Sequence, residues 1–306
     1  MKYKVNVDVS VVFELLGSFM IYATKKWTDN LDIGSHFIPD LDASLPHTVR
    51  NELNKAHDWP FLDYDVLYAL AILREKDTDI PSFLEWIEHT ESTELIPQLL
   101  PYLPTITKES LGRIQTEYPP LLRLWYEHYF AEIEPELKAL ICEDAQEKSV
   151  LLLKMEPESL IEYATGGVIL DDIPVDSILL FPGVHFRPIN TYCFYDNVLL
   201  IQYPVDVPEE SEDDPPVVLL RMTEALADPV RLRMLRFVAD EPKTVNEIAT
   251  KLNLSYEALM HHLLILRAAG LLRSHVNAGK QTERFSLRPD GAAELQMFFE
   301  SYIRLS

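Results

Sequence analysis

Metal and redox chemistry would fall to two cysteines, Cys142 and Cys193, and to nine histidines. The thiols stand far apart and are too few for a disulfide framework, which fits a reducing compartment. His36, His47 and His57 are spread without metal-ligand spacing. Glu127-His128 could do acid–base work, but beside Trp125-Tyr126 it reads as part of an aromatic core stripe. Gly166-Gly167 reads as a turn, and no nucleophile elbow, phosphate loop or Gly-x-Gly-x-x-Gly run is present. The expectation is a chain with no metal, no cofactor and no catalytic residue, hence not an enzyme. Other polar groups of note are the basic side chains Arg273, Lys280 and Arg284, with Thr244 and Ser255 at helix starts where free amides point outward.

The elements that must position these groups are legible from caps and periodicity. Asp228-Pro229 opens a helix, Asp as cap and Pro preorganised at the first position, with Leu232, Leu235 and Val238 on one face. Thr244 and Glu247 match a capping box, followed by Val245, Ile248, Ala249 and Leu252 at helical spacing. After the turn Asn253-Leu254, Ser255 caps a longer helix whose Leu259, Leu263 and Leu266 face inward, and Gly270 closes it. Two capped helices on a tight turn predict a helix-turn-helix. Leu272, Ser274 and Val276 then alternate with polar neighbours, Gly279 turns, and Phe285 and Leu287 return. That hairpin is a wing.

Charge separates this segment from the rest. The chain carries a net charge of −22, yet residues 217–306 hold 12 Lys+Arg against 10 Asp+Glu, and the residues before them sum to −24. Only the C-terminal part is tolerable next to phosphate. Between the two lies PVDVPEESEDDPP, residues 204–216, with four prolines and six carboxylates and almost nothing to bury. It reads as an extended acidic linker.

Residues 1–203 read as an α+β domain, mainly helical with an antiparallel β portion, preceding the C-terminal winged helix-turn-helix of 217–306. Lys2–Val9 alternates as a strand, and Val11–Ala23 reads as a helix. Further helices are expected over Leu45–His57, Asp65–Leu73, Pro81–His89 and Glu94–Leu100. Pro119–Cys142 predicts a long helix or pair, with Pro120 near its start and Pro135 breaking it. Val150–Met155, Ser177–Phe181, Thr191–Tyr195 and Val198–Tyr203 read as strands, with Asp196-Asn197 turning the last hairpin. The apolar stretch from Val9 is interrupted by Glu14 and followed by no small-residue cleavage site, and no run reaches the length of a membrane helix. A cytoplasmic protein with no membrane partner is expected.

The stretch EALADPVRLRMLRFVADEPKTVNEIATKLNLSYEALMHHLLILRAAGLLRSHVNAGKQTERFSL closely resembles the ArsR-type winged helix. The "LADPxRLRxL", "xVxEIAxxL" and "LSxxxxxxHLxxLRxAGLLR" patterns and the wing are present almost in full. More loosely, VVFELLGSF and LLFPGVHFRP…NVLLIQYP look like an extension of unassigned function that precedes this domain in some relatives.

The resemblance implies a dimeric, sequence-specific regulator of transcription, a repressor, with double-stranded DNA and a second copy of itself as partners. The recognition helix, 255–269, would enter the major groove and the wing, 272–287, would lie on the backbone. Base edges would fall to Tyr256, Glu257, Met260 and His261: Glu257 can accept from cytosine N4, and Met260 and Tyr256 suit thymine methyls. No arginine stands there to grip guanine, and Leu264 replaces the family's usual lysine. Arg273, Lys280 and Arg284 would contact phosphate. The family's metal sites do not carry over, because TVNEIATKL has no cysteine and the last helix no histidine. Dimerisation would use the first and last helices of the domain, Val218, Leu219, Met222 and Leu226 with Leu295 to Leu305. An unknown small-molecule or protein effector would act at residues 1–203. The competing reading is a protein-interaction module that kept the fold and reads DNA weakly or not at all.

Overall fold

A computed structural model describes residues 3–205, 207, 211, 213–277 and 283–304. In chain order its elements begin β1 Lys4–Val7, α1 Val11–Thr24, α2 Phe37–Ser44, α3 His47–Leu53, α4 Asp63–Leu73, α5 Ile80–His89, α6 Ser92–Leu99, α7 Lys108–Trp125 and α8 Ala131–Leu152. They continue α9 Pro157–Thr165, β2 Val168–Leu170, β3 Ser177–Gly183, β4 Thr191–Phe194 and β5 Val198–Pro204. The C-terminal elements are α10 Val217–Leu226, α11 Pro229–Phe237, β6 Lys243–Thr244, α12 Val245–Leu252, α13 Tyr256–Ala268, β7 Leu272–Val276, β8 Arg284–Leu287 and α14 Gly291–Tyr302. Contacts divide the chain into two units, Met1–Val150 with Val175–Val205, and Leu151–Pro174 with Asp206–Ser306.

In the first unit α1 is the axis. From Val11 to Ala23 every residue is buried, so the helix is enclosed on all sides, as a central helix must be, with Glu14 and Ser18 its buried polar members. Phe13, Phe19, Tyr22 and Trp125 anchor the core that α4, α5 and α7 complete. The sheet order is β1-β3-β5-β4, and it corrects the antiparallel expectation. β1–β3 and β3–β5 are parallel, and β4–β5 alone is antiparallel. The physical reason is in the strands themselves: β5 is buried from Leu199 through Tyr203 rather than on alternate residues. Such a continuously buried run, apolar but for Gln202, belongs to a central, two-sided strand.

Two further expectations change. The helix expected to start near Pro119 begins at Lys108, capped by Thr107, so Pro119 and Pro120 lie inside α7. Pro135 does not break the chain into separate helices either; a π-turn at Tyr126–Phe130 joins α7 to α8, and Pro135 lies within the first turns of α8. Of the strand expected over Val150–Met155, Val150–Leu152 end α8 and Leu153–Met155 form a turn, because a short apolar run does not distinguish helix from strand.

The second unit has its own smaller core: Met222, Ala225, Met234, Val238, Ile248, Leu259, Leu263, Leu266, Leu272 and Phe285. Its sheet runs β2-β7-β8-β6. The β7–β8 pair is the antiparallel wing, and β2 lies parallel to β7 with Val168 opposite Ser274 and Leu170 opposite Val276. The wing is thus flanked at its base by β2 on one side and β6 on the other, four strands wide. Gly167 permits this close approach. It has φ +119°, and a Cβ there would stand 2.8 Å from the Leu272 carbonyl.

No helix among the described residues is long and apolar enough to cross a membrane.

Candidate nucleic-acid interface

Caps set the helices of this unit in place. The Asp228 carboxylate accepts from the amides of Val230 (2.5 Å) and Arg231 (3.2 Å), with Pro229 at the first position. The inward face of α11 is then Arg231, Met234 and Val238, while Leu232 is 49% exposed, against the expectation that Leu232 faced the core. Helical phase decides this: once Met234 is buried, Leu232 stands about 200° away from it. Buried Arg231 donates from Nε to the Ala225 carbonyl (2.7 Å) and from Nη2 to that of Glu224 (2.8 Å). These carbonyls lie in the last turn of α10, where a cation is well placed; that of Glu224 also accepts from the Ala227 amide.

The capping box of α12 forms in full. Glu247 accepts from the Thr244 amide (2.8 Å) and hydroxyl (2.7 Å), and the Thr244 oxygen accepts from the Glu247 amide. Those hydrogen bonds hold the Glu247 carboxyl below its usual range. Asn253, at φ 52°, makes the left-handed turn, and Ser255 caps α13 by accepting from the Ala258 amide at 3.3 Å. Leu259, Leu263 and Leu266 are buried, as their spacing predicts. Ser255, Tyr256, Glu257 and His261 are left exposed, Tyr256 at 68%. Met260 is half-buried and packs on the core, so it offers less surface than the other three. His262 is half-buried too, and its Nδ1 is enclosed without a partner; burial holds its imidazole below the ordinary range.

The sheet brings Thr244 and Arg284 side by side, since β6 pairs with β8 in that register. Arg267 ties the end of α13 to β7 by donating to the Leu272 carbonyl (2.8 Å) and to that of Gly166 (3.1 Å). Lys280 and the turn at Gly279 lie outside the described residues.

The other wing cations already face carboxylates. Arg273 Nε donates to Glu162, on α9, at 2.5 Å. Asp171, just after β2, accepts from Arg284 at 3.4 Å and meets His275 Nδ1 at 3.3 Å. His275 Nε2 lies 2.9 Å from the Ser286 hydroxyl, and burial of the ring keeps it below its ordinary pKa, Asp171 opposing. Glu162 and Asp171 come from a stretch the sequence reads as β-rich and separate from the wing.

Periodicity could have found further cations. Arg233 and Arg236 stand three residues apart on the solvent side of α11, both exposed. Lys251 is exposed at the end of α12, 5.8 Å from the Phe237 ring centre, and Lys243 pairs with Glu241. The signal was the phase of Met234 and Val238, which points Arg233 and Arg236 outward. Among the described residues no group of three or more His, Cys, Asp or Glu side chains is arranged to hold a metal ion.

Comparison with known proteins bears on this unit alone. A family described as a helix-turn-helix domain matches residues 226–275. Among solved structures, NolR from Sinorhizobium fredii is 30% identical over 27% of this chain and 81% of its own, with a TM-score of 0.23. The transcriptional regulator HlyU from Vibrio vulnificus is also 30% identical, over 27% of this chain and 85% of its own, with a TM-score of 0.22. A protein described as an ArsR family transcriptional regulator is 23% identical over 29% of this chain and 94% of its own, with a TM-score of 0.26. No curated protein sequence matches the chain.

Proposed function

We propose that the protein is a homodimeric repressor of the ArsR type that reads specific DNA sequence through α13, a reading supported by the match of residues 226–275 to a helix-turn-helix domain family. The observation that carries this reading is the outer face of that helix. With Leu259, Leu263 and Leu266 buried, Tyr256, Glu257 and His261 stand exposed at its first turns, where a recognition helix meets base edges. Thr244, Ser255, Arg273, Lys280 and Arg284 supply the phosphate contacts, joined by Arg233 and Arg236. Selection of bound sequences from a random duplex pool by the purified protein tests this at low salt. Enrichment of a two-fold motif supports it, and recovery of no sequence above background removes it.

The dimer reading rests on exposed apolar surface. Leu220 on α10 is 50% exposed, and Met297, Phe299, Tyr302 and Ile303 at the last helix are 37–55% exposed. α10 and α14 pack together, so a partner helix pair could cover one continuous stripe. Sedimentation equilibrium of the wild type and of Phe299→Glu measures this; a wild-type monomer at micromolar concentration sinks the dimer.

The pairing of Arg273 with Glu162 and of Arg284 with Asp171 favours a second reading, a winged helix turned to protein binding. If Arg273→Ala with Arg284→Ala leaves DNA affinity intact and disrupts a partner complex, that reading prevails. In either case the first unit serves as the seat of an effector.

A further inference from the structure

The first unit holds a cavity of about 230 Å³ bordered by α1, α4 and residues 186–193. Protein interiors carry few voids larger than a water molecule, and a cavity of about 150 Å³ is enough for benzene. This one has room for a ring and a short arm. Six aromatic side chains border it: Trp27, Phe61, Tyr64, Tyr68, Phe186 and Tyr192. Trp27 stands edge-on to Phe61 at 5.9 Å and lies 5.8 Å from Phe186. Phe61, 48% exposed, marks the open side, and Tyr68, 4% exposed, the closed one. Aromatic faces are electron-rich and attract cations.

A single carboxylate, Asp65, interrupts this wall. Burial pushes its carboxyl above the usual range, with the Cys193 thiol as a hydrogen-bond partner acting the other way. No cationic side chain contributes to that balance. The Tyr64 hydroxyl is also enclosed without a hydrogen-bond partner. Polar groups with unmet capacity around an apolar cavity are the usual composition of a ligand site.

The wall is held in shape from behind. Glu14 of α1 accepts from the Val184 amide (2.8 Å) and meets His185 Nδ1 at 2.5 Å, and His185 Nε2 lies 2.9 Å from the Tyr129 hydroxyl. These contacts fix the segment that carries Phe186. The Tyr195 hydroxyl donates to the Asp65 carbonyl at 2.7 Å, fixing the other side.

We propose that this cavity binds a small organic monocation, a protonated amine on one apolar ring, with the ammonium at Asp65 and the ring among the aromatic side chains. The net charge of −24 before residue 217 draws such cations in and repels anions of the same size. The site gives chemical content to the effector role proposed for this unit, and rests on that role for its consequence only.

Calorimetric titration of the full chain, without DNA, tests it with three probes of one shape: 2-phenylethylamine, neutral 2-phenylethanol and anionic phenylacetate. The amine should bind with one-to-one saturation, the alcohol at least about tenfold more weakly and the acid not at all. Asp65→Asn should bring the amine down to the alcohol's affinity with the melting midpoint retained. Equal affinity for amine and alcohol overturns the proposal, as does unchanged amine binding in Asp65→Asn. So does the absence of amine binding up to about 10 mM. Since no DNA is present, a failure here leaves the DNA reading standing, and a failure to select DNA leaves this one standing.

Discussion

Helix α13 and the wing share one core but differ in what their polar groups already touch. On α13 the outward groups of Tyr256, Glu257 and His261 have solvent for company. On the wing, Arg273 and Arg284 lie against Glu162 and Asp171, carboxylates delivered by α9 and the end of β2. The difference separates two tasks that one DNA interface must perform. Sequence reading needs groups that are free, whereas phosphate attraction needs charge that is not already cancelled. On the proposed interface the reading face is free and the attracting face is partly neutralised from within its own unit.

The comparison can be broken most severely through the shared core. Leu263→Ala should destabilise the second unit by about 2–5 kcal/mol, the usual cost of a buried Leu truncation, and abolish DNA retention with it. Urea melts followed by circular dichroism would check this; a midpoint within error of wild type would mean that helix and wing stand independently.

A smaller effect should isolate the helix. Tyr256→Ala and Glu257→Ala should each lower affinity for a selected site by about 1–3 kcal/mol and leave binding to random duplex unchanged. Equal losses on both duplexes would show that α13 supplies no sequence discrimination.

Glu162→Gln with Asp171→Asn addresses the wing. Freeing two cations should tighten binding to any duplex about tenfold at low salt and steepen the log–log salt slope by roughly 0.9 per phosphate engaged. Weaker binding instead would mean that these carboxylates hold the wing in its working shape.

The smallest effect concerns pH. Burial holds His275 below the ordinary 6.5, so the unfolded chain takes up its proton first as pH falls. Stability of the second unit should therefore decline as pH drops below about 6.5 towards the lowered folded value. His275→Gln should flatten that decline in melts between pH 7 and pH 5, and a slope unchanged by the substitution would remove His275 as the cause.

How much was legible follows from how local each feature is. Caps at Asp228, Thr244 and Ser255 depend on residues two or three positions away, and all three form as read. The buried faces of α12 and α13 followed from spacing alone. Leu232 failed because α11 is short and amphipathic at two phases, and only its packing partners choose between them. The strands of the first unit were located and the β4–β5 hairpin pairs as read, but the parallel β1–β3 and β3–β5 pairs were not legible: a sequence run marks a strand without saying which distant neighbour it takes or in what sense. The pocket around Asp65 gathers residues from Met20 to Cys193, and no spacing rule connects them.

The sequence by itself determined α11, α12 and α13 with their caps, the inward leucines of α13 and the charge contrast with the chain before them. Hydrogen bonding and burial over three or four residues suffice for each. Tertiary structure alone decided that β2 would widen the wing and that Glu162 and Asp171 would meet Arg273, His275 and Arg284. Those pairs lie 111, 104 and 113 residues apart. Contacts at that separation depend on the second unit being folded, which no local pattern encodes.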